Sequence, residues 1–134
     1  MLEHIAIWTR NLEELKDFYC SYFDGRAGEK YHSASEFHAC FESYFVSFGD
    51  GSRLELMRMP TIPDGDRENG REALGLTHIA FSVKAEAEVD ALARRAREEN
   101  RTVVLAPHHT GDGYYEACIL DPDGNRVEIT VAPA

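Results

Sequence analysis

The chain has 134 residues, 24 of them Asp or Glu against 14 Lys or Arg, for a formal net charge of −10. That length suits one compact domain with a core of its own, and the hydrophobic share of 43% is ordinary for a globular protein. The acidic balance argues against nucleic acid, which requires a basic footprint, and no apolar run approaches the roughly 20 residues of a membrane span.

The first predicted element is a strand in "LEHIAIWT", rich in Ile and Trp. A helix should follow from Asn11, because Leu12, Leu15, Phe18, Tyr19, Tyr22 and Phe23 recur at helical spacing. Asn11 with Glu14 resembles an N-cap and its capping-box partner, and Gly25 should stop the helix. Strands are predicted near Glu36–Phe41, Tyr44–Phe48 and Arg53–Met59, the last two joined by the tight turn "GDGS". Pro60 to Gly75 shows no periodicity and reads as a linker. Beyond it the order returns: a strand in "LTHIAFSV", a helix over Glu86–Glu99 with Val89, Leu92, Ala93 and Ala96 inward, then strands near Thr102–Leu105, Tyr114–Leu120 and Arg126–Val131. "DPDGN" turns between the last two. The expected architecture is therefore α+β: two tandem βαβββ modules, residues 1–59 and 76–134, forming a curved mixed sheet with a metal-binding cleft.

The modules also repeat in wording. "EHIAIW" (Glu3 to Trp8) is echoed by "THIAFS" (Thr77 to Ser82), and "DGSRLEL" (Asp50 to Leu56) by "DGNRVEI" (Asp123 to Ile129). His4 precedes Glu55 by 51 residues, and His78 precedes Glu128 by 50. With each His on the first strand of its module and each Glu on the last, two imidazoles and two carboxylates can meet at one point. Such a donor set suits a divalent ion such as Zn²⁺, Ni²⁺, Co²⁺ or Mn²⁺. Two carboxylates offset the ion's charge, and octahedral coordination leaves two positions for water or substrate, a catalytic layout and not a closed one. The plainer reading makes each His an ordinary strand residue and "DGxRφEφ" a mere hairpin. Matched recurrence weighs against it, because duplication alone gives no reason to keep four costly ligating groups. His32, His38, His108 and His109 have no counterpart in the other half.

Cys20, Cys40 and Cys118 are odd in number and lack CxxC spacing, so they read as reduced, mostly buried thiols. The N-terminal stretch lacks the basic and apolar regions of a signal peptide. A cytoplasmic protein is expected.

The opening "HIAIWTRNLEELKDFYCSYFDG", the central "LTHIAFSV" and the closing "LDPDGNRVEIT" resemble the vicinal-oxygen-chelate superfamily of glyoxalases, bleomycin-resistance proteins, fosfomycin-resistance proteins and extradiol dioxygenases. The resemblance spans the whole chain and is greatest to glyoxalase I, which has a carboxylate ligand at the end of its first module. Carried over by position, it implies the metal ligands His4, Glu55, His78 and Glu128, with Glu128 as the catalytic base and Glu55 on the other side of the ion. It implies a Ni- or Zn-dependent lactoylglutathione lyase that turns the methylglyoxal–glutathione hemithioacetal into S-lactoylglutathione, a methylglyoxal detoxification. It also implies a homodimer with sites where modules meet.

The thiol half of that substrate carries carboxylates, for which Arg10, Arg26, Arg53 and Arg126 are candidates. Trp8, Arg10, Tyr114 and Tyr115 are candidate substrate contacts, and His108–Glu116 could form a cleft wall or a plain hairpin loop. Two other readings stand beside the lyase. One is a different activity on the same scaffold (epimerase, thiol transferase or dioxygenase). The other is a metal-free protein holding a flat ligand between aromatics.

Overall fold

The computed structural model describes the chain except for Ser35, Phe37, His38, residues 66–71, Ala73 and Ala134. It is α+β and falls into two compact units, Met1–Gly65 and Asp66–Ala134. The expected mixed sheet is present as two sheets, one in each unit.

In the first unit, β1 (Ile5–Trp8) leads to α1 (Leu12–Phe23), followed by β2 (Arg26–Ala27), β3 (Tyr31–His32), β4 (Glu42–Ser47) and β5 (Arg53–Arg58). The sheet order is β1-β5-β4-β2, with β3 also on β4, and β1 runs parallel to β5. In the second unit, β6 (His78–Ser82) leads to α2 (Glu86–Glu98), then β7 (Val103–His109), β8 (Tyr115–Leu120) and β9 (Arg126–Val131). That order is β6-β9-β8-β7, with β6 parallel to β9. Each unit therefore returns its last strand to lie beside its first.

Strand alternation divides each sheet into a face against its helix and a face away from it. Leu15 and Tyr19 of α1 are fully buried with Val46 and Leu56; Val89, Ala93 and Ala96 of α2 are fully buried with Val127 and Ile129. Each large apolar side chain so buried contributes on the order of 2 kcal/mol. Fixing Leu54 and Leu56 on the helix side turns Arg53, Glu55 and Met57 to the other face. Val127 and Ile129 do the same for Arg126, Glu128 and Thr130.

Three local expectations are corrected. The strand expected at Glu36–Phe41 is not formed at its described residues: Ala39 and Cys40 lie in a turn, and Cys40 takes a left-handed backbone, φ 63°. The pairing is supplied instead by β2 and β3, too short to show a period. Asn11 stands at the helix start, but its side chain makes no cap; Thr9 Oγ1 instead accepts the Asn11 N–H. Among the cysteines only Cys118 is buried; Cys20 is half-buried and Cys40 exposed. Gly25 does follow α1, for a packing reason: a Cβ there would stand 2.6 Å from Val46 Cγ1. The strand expected at Thr102–Leu105 continues to His109 and includes Pro107, tolerated because β7 is an edge strand with two register shifts. Of the expected linker, Ile62 N–H donates to the Met59 carbonyl and Asp64 accepts from Arg10, tying its start to the first unit; residues 66–71 and Ala73 lie outside the described residues.

Candidate functional site

Parallel pairing of first and last strands decides where the repeated His and Glu fall. Ala6 lies opposite Glu55, and Ala80 lies opposite Glu128, so each His sits two residues back on the same face as its Glu. The side chains meet accordingly. His4 Nε2 is 3.3 Å from Glu55 Oε2, and His78 Nε2 is 3.5 Å from Glu128 Oε2. Both carboxylates are about four-fifths buried, at 19% and 20% exposure.

The separations are informative. They are long for an imidazole–carboxylate hydrogen bond, which centres near 2.8–2.9 Å. Two ligands bound at about 2.1 Å to one ion, at tetrahedral or octahedral angles, stand roughly 3.0–3.5 Å apart. His4 Nδ1 contacts the Glu3 carboxylate, so a proton held there leaves the Nε2 lone pair on the Glu55 side. The donor set thus fits a divalent cation. Among the described residues each unit brings two such ligands together, and no group of three is assembled.

The two carboxylates differ in surroundings. Phe45 lies opposite Glu55, packs edge-on to the His4 ring at 5.2 Å, and carries the Arg53 guanidinium 4.0 Å over its face. Arg53 also reaches Glu3 at 3.2 Å. Opposite Glu128 stands Cys118, buried, with Glu116 one step along on the same face. Burial pushes the Glu128 carboxyl above its ordinary range; His78 opposes this, Glu116 adds to it, and Arg126 and His108 oppose it more weakly. Burial likewise raises the Cys118 thiol, keeping it protonated and inert.

The remaining candidates lie in varied places. Trp8 shares the face of Ala6 and Glu55 and is 40% exposed. Arg10 donates from Nε to Asp64 at 3.0 Å and from Nη2 to the Ile62 carbonyl at 2.6 Å. It lines a cavity of about 460 Å³ at the start of α1, with Glu13, Lys30, Glu42 and Arg58. The charges there answer one another: Lys30 lies 2.9 Å from Glu13, and Arg58 3.3 Å from Glu42. Arg26 lies in β2, exposed, and Arg126 approaches Glu72 at 3.7 Å. Tyr115 donates to Asp90 of α2 at 2.8 Å, which places it on the helix side of its sheet, away from Glu128. Tyr114 closes a turn whose backbone is held by Thr110, so His108–Glu116 forms the β7–β8 hairpin. His38 lies outside the described residues.

Sequence reasoning missed one pair. His108 faces Glu116 in register, Nε2 to Oε1 3.8 Å, and its Nδ1 lies 2.8 Å from the Ala106 carbonyl. Only knowledge that β8 lies between β7 and β9 could have placed this pair beside Glu128.

The comparisons with known proteins fit this geometry. Residues 1–129 match the sequence model of the Glyoxalase/Bleomycin resistance protein/Dioxygenase superfamily. The chain belongs to that superfamily. No curated protein matches the sequence. Among solved structures, a glyoxalase family protein from Bacillus cereus is similar over 99% of this chain and 94% of its own, with 17% identity and a TM-score of 0.82. A glyoxalase I mutant from Zea mays is similar over 99% of this chain but only 45% of its own, at 20% identity and TM-score 0.75. The trypanothione-dependent glyoxalase I of Leishmania major matches over 96% and 84%, at 19% identity and TM-score 0.70. At these identities the likeness is one of fold, and the superfamily's activities are diverse. Among the described residues, no helix is long and apolar enough to cross a membrane.

Proposed function

We propose that this superfamily member is a metal-dependent isomerase-type lyase acting on a 2-oxoaldehyde–thiol hemithioacetal, the methylglyoxal–glutathione adduct or one like it. One observation carries the reading: two His–Glu pairs at equivalent strand positions, 3.3 and 3.5 Å apart, at the separation that two ligands of one ion adopt. His4, Glu55, His78 and Glu128 would hold the ion, with Ni²⁺ or Zn²⁺ preferred and Co²⁺ or Mn²⁺ also suited to the donors. An ion held there would supply Lewis acidity to the substrate's oxygens.

The reaction shifts one proton between adjacent carbons, so no external oxidant or reductant enters. In this reading Glu128 takes that proton and returns it to the neighbouring carbon. Its burial raises its affinity for a proton, which is what a carboxylate needs to act as a base on a carbon acid. Glu55, beside Phe45 and Arg53, serves as a ligand. His4 and His78 hold their partners in place. The protein would work in the cytoplasm as a homodimer in which the pairs come together, as glyoxalase I enzymes commonly do.

The test is the metal content of the purified protein, measured with methylglyoxal–glutathione turnover before chelation, after it and after metal is restored. A bound divalent ion is expected, with turnover lost on chelation and recovered on readdition. A protein that takes up no divalent ion, or whose turnover ignores chelation, overturns the proposal.

A further inference from the structure

Three aromatic rings of the first unit stand together at its surface, two of them exposed. Phe41 is central, its ring centroid 6.0 Å from Trp8 and 6.2 Å from Tyr31, both nearer edge-to-face than stacked. Trp8 and Tyr31 are 40% and 56% exposed, and Phe41 between them is half-buried. Exposed apolar side chains are commonplace singly but less so when one ring joins them into a continuous surface.

The chain is shaped to hold them there. Cys40 turns through a left-handed conformation, and the Phe41 carbonyl is then fixed by the Ser33 N–H at 3.0 Å. Trp8 pairs in register with Met57, which adds a thioether to the same surface, and Tyr31 pairs with Ser43. Alternation places Ala6, Trp8, Glu55 and Met57 on one face of the sheet. The shelf therefore continues the surface that bears the His4–Glu55 pair. Trp8 lies four positions beyond His4, roughly 13 Å along the sheet, which is the reach of a small molecule with its reacting head on the pair and its tail on the rings.

We propose that the Tyr31–Phe41–Trp8 shelf is a substrate subsite for a flat, apolar tail, so that the preferred substrate joins an oxygen-bearing head to an aromatic group. This rests on the reading above for the head alone. Rings meeting edge-on leave faces open for a further ring to stack or pack against. The described residues of this shelf, three rings and a thioether, offer no cation to a peptide tail with two carboxylates. Of the candidate aromatic contacts Trp8, Tyr114 and Tyr115, the shelf takes Trp8 and adds two further rings.

Two probes of shared head separate the ideas: 1-hydroxy-4-phenylbutan-2-one and 1-hydroxybutan-2-one, titrated by calorimetry into the full-length, zinc-loaded protein. Burying a phenyl group against rings predicts at least about tenfold tighter binding of the phenyl compound. Trp8 is the only tryptophan, so protein labelled with 5-fluorotryptophan gives one fluorine resonance, which should move with the phenyl probe and stay with the other. Tyr31→Ala and Phe41→Leu should each pull the affinity ratio toward one. Tyr31 is exposed and Phe41→Leu keeps an apolar side chain at a half-buried site, so the fold should survive, as circular dichroism would check. A ratio near one in the parent protein, or a ratio the two variants leave unchanged, overturns the subsite. Repeating the titrations after chelation keeps the two proposals apart. If both probes weaken and the ratio persists, head and shelf both stand; if neither weakens and the ratio persists, the shelf stands without the metal.

Discussion

The two units carry the same His–Glu pair at the same strand positions, yet they treat the carboxylates differently. Glu55 sits beside a phenyl ring capped by Arg53, whereas Glu128 sits beside a buried thiol and a second carboxylate. Ligation constrains only the geometry of nitrogen and oxygen, so duplication could preserve that and leave the surroundings free to diverge. Proton transfer depends on surroundings, because burial and neighbouring charge set a carboxylate's affinity for a proton. Under the proposed function, the difference assigns the proton transfer to the second unit, and to the first the completion of the ion's coordination and the grip on the tail.

The strongest way to break this comparison is to neutralise each carboxylate in turn. Glu128→Gln should lower kcat on methylglyoxal–glutathione by about 10²–10⁴-fold, the usual worth of a general base, while metal occupancy falls far less. Glu55→Gln should show the reverse balance, with loss of metal accounting for the loss of rate. Parallel kinetics and metal analysis decide it: equal losses of rate and metal in Glu128→Gln would make Glu128 a ligand only.

A second experiment asks whether the two pairs of one site come from one chain. His4→Ala and His78→Ala should each be inactive. If units pair between chains across a two-fold axis, a mixed dimer concentrates both lesions in one site and leaves the other whole. Random subunit exchange should then restore about a quarter of the parental activity, since half the dimers are mixed and each has one intact site. Mass spectrometry would establish exchange independently. No recovery in proven mixed dimers would show that each site is built within a chain.

Stability sharpens the contrast at the turns that deliver the Glu-bearing strands. Both turns close alike, Phe48 N–H to the Ser52 carbonyl and Asp121 N–H to the Asn125 carbonyl. The first is braced by exposed Asp50, which accepts from the Ser52 amide and hydroxyl. The second is braced by Asp121, 4% exposed, which accepts from the Asp123 and Asn125 amides and the Asn125 side chain. Asp121→Ala leaves three part-buried donors without their acceptor and should cost about 2–3 kcal/mol, against about 1 or less for Asp50→Ala. Urea unfolding of the two variants would measure the gap, and equal costs would refute it.

What the sequence disclosed and what it hid follow from the range of the interactions. Periodic apolar residues placed both helices and most strands, because burial against a single partner face leaves its period in the chain. The spacing of His4, Glu55, His78 and Glu128 was visible because a repeat writes each pair twice. The two-residue strands β2 and β3 left no period, and the turn at Cys40 depends on a backbone conformation that cysteine rarely advertises. The capping box did not form: Thr9 Oγ1 takes the Asn11 N–H that Glu14 would have accepted, and the Asn11 side chain makes no cap. His108, Glu116 and the ring trio were hidden for one reason: their meaning comes from strand pairing, not from local sequence.

The smallest expected effects concern two carboxyls that depart from ordinary behaviour in opposite directions, one in each unit. In the first unit Glu13 is held down to about 2 by Lys16, then Lys30, with Tyr44 also donating to it. Its folded value lies below the unfolded one, so its contribution to stability is present above the ordinary glutamate range and fades as pH falls toward 2. The side chain is 54% exposed, so screening keeps that contribution small; Lys30→Met should raise the Glu13 titration without appreciably changing the unfolding midpoint. In the second unit, metal-free Glu128 is displaced upward. Between its ordinary and its raised value the folded chain keeps a proton that the unfolded chain has lost, so stability declines as pH rises through that window. Glu116→Gln removes a negative neighbour and should move the Glu128 titration back down, while burial holds it above the ordinary range. Carbon-detected NMR of the glutamate carboxyls in the metal-free protein reads both at once. If Glu116→Gln leaves Glu128 in place, the second carboxylate does not tune the base, and burial by itself holds Glu128 up.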